Sequence, residues 1–237
     1  MIKTKKITKK YGDFTAIENL SLNVKEGEIL CLLGANGAGK STIINILLNF
    51  TKPSSGICEI NNLDVIKNPI KTKEFLTYIP ENLMLYPTLS ALENLDYFTK
   101  LSGKKFDFKE LENCLLEAGL DLSLINNRVN TFSKGMRQKV GIALAIAKKS
   151  KVLLLDEPTS GLDPKSSNDF IHLLKKMKNE GVAILMATHD LFRAKEVSSH
   201  IGIMRSGVLE NYSRTSNLTL KELETIYIDI MNFKNVS

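Results

Sequence analysis

The apolar residues of this chain fall into short continuous runs. Three of them lie at residues 29–33, 152–155 and 182–187, and residues 75–79, which Thr77 interrupts, also predict a core strand. Runs of this length are typical of strands in a parallel sheet that is covered on both faces. Residues 164–179, between the last two runs, have helical character and give the order strand, helix, strand. The pattern therefore predicts an α/β core with a mostly parallel sheet.

The chain on either side of this core has other patterns. Residues 1–24 alternate partly and predict short strands around a turn at Tyr11-Gly12-Asp13, and residues 201–210 predict a hairpin through Ser206-Gly207. One helical face of the last segment carries apolar residues at Leu220, Leu223, Ile226, Tyr227 and Ile230. This face predicts a C-terminal helix that packs on the domain, and a partner-binding helix is the alternative.

The strand pattern stops at residue 81 and does not return until about residue 146. Ser90-Ala91-Leu92-Glu93 has the capping-box pattern of a helix start. Amphipathic helices are predicted near 90–101, 108–118 and 121–126, which indicates an inserted helical subdomain. We therefore expect one domain with the following parts: a core with an antiparallel β subdomain at 1–80 and 146–215, a helical subdomain at 81–145, and a C-terminal helix at 216–237.

Composition changes this picture little. A chain of 237 residues with 43% hydrophobic content can bury a sizeable core. The net charge of +6 comes from scattered lysines, so we expect no stable binding of nucleic acid. Cys31, Cys58 and Cys114 lack metal or redox spacing and are interpreted as small buried hydrophobes. No apolar run approaches the eighteen or so residues of a spanning helix, so we expect a soluble chain.

The most specific motif lies directly behind the run at 29–33. It matches G-x-x-x-x-G-K-[ST] at every fixed position and precedes an apolar helical segment. Its residues are Gly34, Ala35, Asn36, Gly37, Ala38, Gly39, Lys40, Ser41 and Thr42. A glycine-rich loop at a helix N-terminus points backbone N–H groups at phosphate oxygens, with Lys40 reaching the outer phosphates and Ser41 a magnesium ion. The motif predicts binding of a nucleoside triphosphate.

A pair of acids follows the apolar run at 152–155. Asp156 is suited to hold magnesium through water, and Glu157 to orient the attacking water or accept its proton. Adjacent carboxylates at a strand end point in different directions and can take different roles. Because they accompany a complete phosphate loop, we interpret them as functional residues rather than as an ordinary polar strand end.

Three further stretches follow in a fixed order. Phe132-Ser133-Lys134-Gly135-Met136-Arg137-Gln138 places a hydroxyl and a glycine at a helix start, which is either an anion site or a plain N-cap. Ser160-Gly161-Leu162-Asp163 comes after the acidic pair. His189 lies just past the run at 182–187, where it is either a phosphate contact or a structural histidine.

Together these residues resemble the ATP-binding cassette (ABC) family, the nucleotide-binding subunits of ABC transporters, over almost the whole chain from Tyr11 to about Gly207. The resemblance implies an α/β fold with a P-loop NTPase (RecA-like) core. It also implies roles for individual residues. Tyr11 is similar to the residue that stacks on adenine, 133–138 to the signature motif, Asp163 to part of the D-loop, and His189 to the switch histidine.

The resemblance further implies ATP and Mg²⁺ as cofactors and ATP hydrolysis as the reaction. Two subunits, identical or related, would close head to tail over two ATP molecules, so that Ser133 and Gly135 contact the nucleotide of the other copy. Closing and opening would drive a separate transmembrane permease, which places the chain in the cytoplasm on the inner face of the membrane. Leu83, Met84, Leu85 and Tyr86 are candidate permease contacts, or equally core residues.

Two positions depart from the common family pattern. Glu81 stands where most members have a glutamine that contacts magnesium and water, so the resemblance implies that Glu81 is a contact of magnesium and of the nucleotide. The signature reads Phe-Ser-Lys-Gly-Met instead of Leu-Ser-Gly-Gly-Gln. Both variants resemble the exporting ABC-2 branch. The first alternative function is a soluble ABC-type protein acting on ribosomes or DNA, although the charged linker and the coiled-coil insertion of those relatives are missing. The second is a P-loop kinase or GTPase, but no Asn-Lys-x-Asp motif is present.

Overall fold

The computed structural model describes residues 1–232, and the predicted helix positions at 233–237 lie outside the described residues. The strands, in chain order, are β1 (Ile2–Tyr11), β2 (Phe14–Val24), β3 (Ile29–Leu33), β4 (Ser55–Ile60), β5 (Leu63–Asp64), β6 (Leu76–Ile79), β7 (Val152–Asp156), β8 (Ala183–Thr188), β9 (His200–Arg205) and β10 (Val208–Arg214). The helices are α1 (Lys40–Leu47), α2 (Pro69–Phe75), α3 (Ala91–Leu101), α4 (Phe108–Glu117), α5 (Lys134–Lys148), α6 (Pro164–Asn179), α7 (Leu191–Val197) and α8 (Leu220–Asn232).

The core is a six-stranded sheet in the order β10-β9-β3-β8-β7-β6. All neighbours in it are parallel except the β9–β10 hairpin. Within β3, Ile29, Cys31 and Leu33 pack into one apolar cluster, whereas Leu30 and Leu32 pack into the other. Successive side chains of a strand point to opposite faces, so a sheet covered on both faces requires an unbroken apolar strand. The predicted mostly parallel core is confirmed.

The second sheet is antiparallel and has the order β2-β1-β4-β5. Its first two strands are longer than the short strands that we expected. Lys6 and Asn19 have φ angles of 46° and 48°, and the β1–β2 pairing shifts register after Thr4 and again after Ile7. These irregularities interrupt the alternation of inward and outward residues, which explains why the sequence showed it only in part.

The inserted segment is helical as predicted. α3 begins with the expected capping box, in which Ser90 and Glu93 exchange side chain to backbone hydrogen bonds. The helix expected at 121–126 is only a 3₁₀ turn at Leu122–Leu124, because Asp121 binds the backbone N–H of Ser123 and closes a tight local turn. α5 continues to Lys148, so the boundary that we placed at residue 145 falls inside a helix.

The C-terminal helix α8 packs on the domain. Leu223 is fully buried, and Ile226, Tyr227 and Ile230 pack against the same apolar cluster as the core helices. Arg205 on β9 donates a hydrogen bond to the backbone oxygen of Ile230. Within residues 1–232, no helix combines the length and hydrophobicity that crossing a bilayer requires.

Candidate functional site

The glycine-rich loop connects the buried strand β3 to helix α1. Gly39 is the N-cap of α1 and has φ 102°, and Gly37 has φ 83°, both in the left-handed region. A Cβ on Gly34 would lie 2.5 Å from the backbone oxygen of Met204, so only glycine permits this approach to β9. Among residues 1–232, no side chain caps α1. Its first-turn N–H groups are therefore available to an anion.

Lys40 is folded into the loop. Its Nζ donates hydrogen bonds to the backbone oxygens of Gly34, at 2.6 Å, and Ala35, at 3.1 Å. Burial lowers the pKa of the Lys40 ammonium, and the nearby charges of Glu157 and Asp156 act in the opposite direction. The positive charge of Lys40 thus lies inside the loop, beside the two acids.

The two acids differ in backbone conformation. Asp156 is the last residue of β7, and Glu157 follows with φ 45°, a left-handed conformation that is rare for glutamate. The backbone N–H of Glu157 donates to the oxygen of Ala187 on β8, which fixes this turn. Strained backbone of this kind is concentrated at functional sites.

Asp156 has the surroundings of a metal ligand. Burial raises its pKa most, the charges of Glu157 and Glu81 raise it further, and the Ser41 hydroxyl and Lys40 oppose the rise. A buried carboxylate among like charges gains from a bound cation. A carboxylate and a hydroxyl, completed by phosphate oxygens and water, form the donor set that Mg²⁺ prefers. The residues present therefore fit Mg²⁺ at Asp156 and Ser41.

The two carboxylate oxygens of Glu157 have different surroundings. Oε2 accepts a hydrogen bond from Thr188 Oγ1 at 3.1 Å. Oε1 lies 2.9 Å from His189 Nδ1, yet it is buried and forms no aligned hydrogen bond. The His189 side chain is 60% exposed and that of Glu157 only 13%. A mostly buried carboxylate with one unsatisfied oxygen can accept a proton from water.

Most of these residues line one cleft of about 420 Å³, but Thr188 and His189 are not among its lining residues. It is bounded by Tyr11, Phe14, Ala16, Asn36, Gly37, Ala38, Gly39, Lys40, Ser41, Thr42, Glu81, Asp156 and Glu157. The structure thus brings together Tyr11, most of the phosphate loop, the acidic pair and Glu81. Gly34 and Ala35 are not among the lining residues, and their backbone oxygens instead accept the hydrogen bonds of Lys40.

The aromatic part of the cleft contains a residue that the sequence pattern did not single out. Tyr11 and Phe14 are cross-strand partners at the end of the β1–β2 hairpin, and they are 50% and 64% exposed. Lys9 Nζ lies 4.5 Å from the centroid of the Tyr11 ring. The two-residue turn at Gly12-Asp13 was the available signal, since such a turn places its flanking residues opposite each other.

The signature residues do not line the cleft of their own chain. Ser133 is the N-cap of α5 and accepts a hydrogen bond from the Met136 N–H at 3.2 Å. Gly135 is buried, and a Cβ there would lie 3.0 Å from Cβ of Ser166. Asp163 caps α6 by accepting the Ser166 N–H at 3.0 Å and the Ser166 hydroxyl at 2.5 Å. These bonds lower the pKa of Asp163 and give it a structural role in this chain.

A second cavity, which we call the surface groove, borders the helical segment. It measures about 260 Å³ and is lined by Asn82, Leu83, Met84, Leu85, Pro87, Val129, Asn130, Lys134, Arg137 and Gln138. Met84 is 81% exposed and Tyr86 46%, whereas Leu83 and Leu85 are partly buried. Met84 and Tyr86 therefore fit the interpretation as exposed contacts, whereas Leu83 and Leu85 fit the interpretation as packing residues.

Comparison with known proteins gives one family. The family model "ABC transporter" matches residues 17–160. An uncharacterized ABC transporter ATP-binding protein, YdbJ of Bacillus subtilis, is 38% identical over 86% of this chain and 66% of its own length. The bacitracin transport ATP-binding protein BcrA of Bacillus licheniformis is 38% identical over 88% of this chain and 68% of its own length. The chain thus spans about two thirds of the length of these relatives.

Solved structures agree with this result. The ATP-binding cassette MJ0796, in a dimeric post-hydrolysis state bound to ADP and phosphate, superposes with a TM-score of 0.81 at 30% identity. The match covers 91% of this chain and 99% of that one. Nearly the whole cassette therefore has its counterpart here.

Proposed function

The chain belongs to the ABC transporter family as an ATP-binding ATPase cassette, and from this premise we propose that it powers a membrane exporter as a dimer closed over two ATP molecules. One observation carries the proposal. The cleft contains a phosphate loop, a magnesium-type carboxylate and a candidate base, whereas Ser133 and Gly135 lie outside it. The site of one chain is half of a site, and a second copy supplies the signature residues.

The chemistry divides among the cleft residues as follows. Lys40 and the loop N–H groups hold the phosphates, and Mg²⁺ at Ser41 and Asp156 neutralises phosphate charge when it is bound. Glu157 orients a water molecule and accepts its proton, while Thr188 donates a hydrogen bond to its Oε2 and holds the carboxylate in place. His189, beside Oε1 and well exposed, is positioned to contact the terminal phosphate.

Tyr11 and Phe14 hold the base of the nucleotide. Both rings line the cleft and are at least half-exposed, so their faces can stack on adenine. Lys9 lies over the Tyr11 ring and donates a hydrogen bond to the backbone oxygen of Lys52. This contact restrains the ring before nucleotide binds.

The surface groove is the contact for a transmembrane permease. Met84 and Tyr86 expose apolar surface beside it, and Tyr86 packs edge to face against Tyr97 with ring centroids 4.8 Å apart. Rigid aromatic anchors beside a groove are typical of binding surfaces. Through this partner the chain lies on the inner face of the cell membrane.

Export is the direction that we propose. Glu81 and the Phe-Ser-Lys-Gly-Met signature resemble the ABC-2 exporting branch, and BcrA is a bacitracin transport protein. The partner cassette is a second copy or a related subunit. The geometry of the nucleotide cleft in this chain is the same whether the partner is identical or related.

The test uses Glu157→Gln, which keeps the shape of the side chain and its contact with Thr188. We expect this variant to bind ATP, hydrolyse it about 10²–10⁴-fold more slowly, and accumulate as a dimer in size-exclusion chromatography with light scattering. Glu74→Gln, on exposed α2, is the matched control and should behave as the unmodified chain. Normal turnover by the Glu157 variant would reject its assignment as the base.

A second measurement tests the transport role. The tagged chain expressed with its neighbouring genes should co-purify from membranes with a multispanning protein, and Met84→Glu should weaken that association without changing ATP binding. Co-sedimentation with ribosomes, in place of membrane association, would favour the soluble alternative.

A further inference from the structure

The nucleotide cleft carries an excess of negative charge. Glu81, Asp156 and Glu157 line it, and among the described lining residues Lys40 carries the one positive charge. The charges of Glu81 and Glu157 both raise the pKa of Asp156. A triphosphate brings further negative charge. A free carboxylate at position 81 would therefore oppose nucleotide binding unless something holds it away from the phosphates.

The carboxylate of Glu81 has two partners. Its Oε1 accepts a hydrogen bond from Ser160 Oγ at 3.2 Å. The Nζ of Lys134 lies 3.8 Å from the same oxygen. Both partners lie outside the strand that precedes Glu81, since Ser160 follows the acidic pair and Lys134 is the first residue of α5. One oxygen thus joins three segments: the end of β6, the loop after β7 and the signature helix.

The pair also lies between two cavities. Glu81 lines the nucleotide cleft, whereas Lys134 lines the surface groove. The Lys134 side chain is 23% exposed and that of Glu81 is 47% exposed. A half-exposed pair at this distance changes the unfolding constant by no more than about fivefold, because water screens it. The pair instead sets the direction in which the Glu81 carboxylate points.

We propose that Lys134 is a positioning residue that holds the Glu81 carboxylate on Ser160 and away from the nucleotide phosphates. Asp156 and Ser41 then bind the metal without Glu81. Glu81 instead connects the core to the signature helix through Ser160 and Lys134. The negative charge of Glu81 and the positive charge of Lys134 in the signature, which both depart from the common family pattern, compensate each other. This inference rests on the proposed ATP site.

The experiment measures ATP affinity in the presence of EDTA by isothermal titration calorimetry, so that neither metal nor hydrolysis contributes. Four proteins form a cycle: the unmodified chain, Glu81→Gln, Lys134→Met and the double variant. Lys134→Met should weaken ATP binding about three- to tenfold, the scale of one released charge beside an anion in a half-exposed site. The double variant should bind within about twofold of Glu81→Gln. Lys134→Arg should retain the affinity.

Lys139→Met is the matched control. Lys139 is also on α5, is 19% exposed and pairs with Asp169 at 3.4 Å, but Asp169, unlike Glu81, does not line the cleft. Its removal should leave ATP affinity within about twofold. Addition of Mg²⁺ should tighten ATP binding by the same factor in Glu81→Gln as in the unmodified chain.

Two results would overturn the proposal. One is an equal loss of affinity on Lys134→Met in the Glu81→Gln background, which would mean that Lys134 acts independently of Glu81. The other is loss of the Mg²⁺ effect in Glu81→Gln, which would make Glu81 a metal ligand. Urea unfolding of the nucleotide-free proteins distinguishes failure of the Glu81–Lys134 proposal from failure of the proposed ATP site. The cycle should show a coupling of about two- to fivefold in the unfolding constant even if ATP does not bind, and additive effects would contradict the pairing.

Discussion

Three glycines of the phosphate loop allow the cost of a left-handed backbone and the cost of a steric contact to be measured separately. Gly37 has φ 83°, and within the described part of the chain no atom beyond its two chain neighbours lies within 4 Å of the position that its Cβ would occupy. Gly34 has no positive φ, but a Cβ there would lie 2.5 Å from the Met204 oxygen. Gly39 combines both features, with φ 102° and the Ala16 oxygen 2.7 Å from its Cβ position. The same change to alanine therefore tests each cost alone and both together.

The expected magnitudes follow from these geometries. A left-handed conformation costs an L-residue about 1–2 kcal/mol, and alanine recovers up to about 1 kcal/mol by restricting the unfolded chain. A methyl group forced against backbone costs about 1–3 kcal/mol. We expect Gly37→Ala to lower the free energy of unfolding by about 1 kcal/mol, Gly34→Ala by about 2 kcal/mol and Gly39→Ala by about 3 kcal/mol.

The assay is urea unfolding of the nucleotide-free proteins, followed by circular dichroism. Each kcal/mol also corresponds to about 2–4 °C in melting temperature for a chain of this size. ATP affinity should follow a different order, because Gly37 lines the cleft and Gly34 does not. Equal stability of Gly39→Ala and Gly37→Ala would refute the reasoning, since the contact with Ala16 would then cost nothing.

Three further predictions concern the cleft and the signature helix. Lys40→Ala should lower ATP affinity at least about tenfold in equilibrium binding, since an ammonium is lost beside the phosphates; unchanged binding would remove Lys40 from the site. Tyr11→Ala should weaken ATP binding about two- to tenfold while Tyr11→Phe retains it, because stacking needs the ring and not the hydroxyl. Ser133→Ala removes the N-cap of α5 and should lower the free energy of unfolding by about 1 kcal/mol. It should also slow ATP turnover, while ATP binding to the monomer is unchanged. Weaker binding by that monomer would place Ser133 in its own cleft.

The sequence was most informative where local chemistry decides local structure. The apolar runs at β3, β7 and β8 identified the core strands, because a strand buried on both faces is apolar along most of its length. Ser90 and Glu93 predicted the start of α3, since their hydrogen bonds reach only three residues. The phosphate loop was equally clear, because its glycines and lysine act within nine residues.

The structure was needed where residues far apart in the chain meet. Phe14 faces Tyr11 only through strand pairing, and the structure was needed to show that the Gly12-Asp13 turn joins two paired strands in this register. The partial burial of Leu83 and Leu85 beside an exposed Met84 depends on the helices that pack over them. Composition alone cannot distinguish an exposed anchor from a core residue.

The sequence by itself determined the fold class, the phosphate loop and the acidic pair, because each is set by residues close together along the chain. Tertiary structure decided how the charges are arranged. It placed Lys134 and Ser160 on one oxygen of Glu81, and it kept Ser133 and Gly135 out of the cleft of their own chain. Coulomb interactions depend on distance in space, and sequence separation gives no measure of that distance.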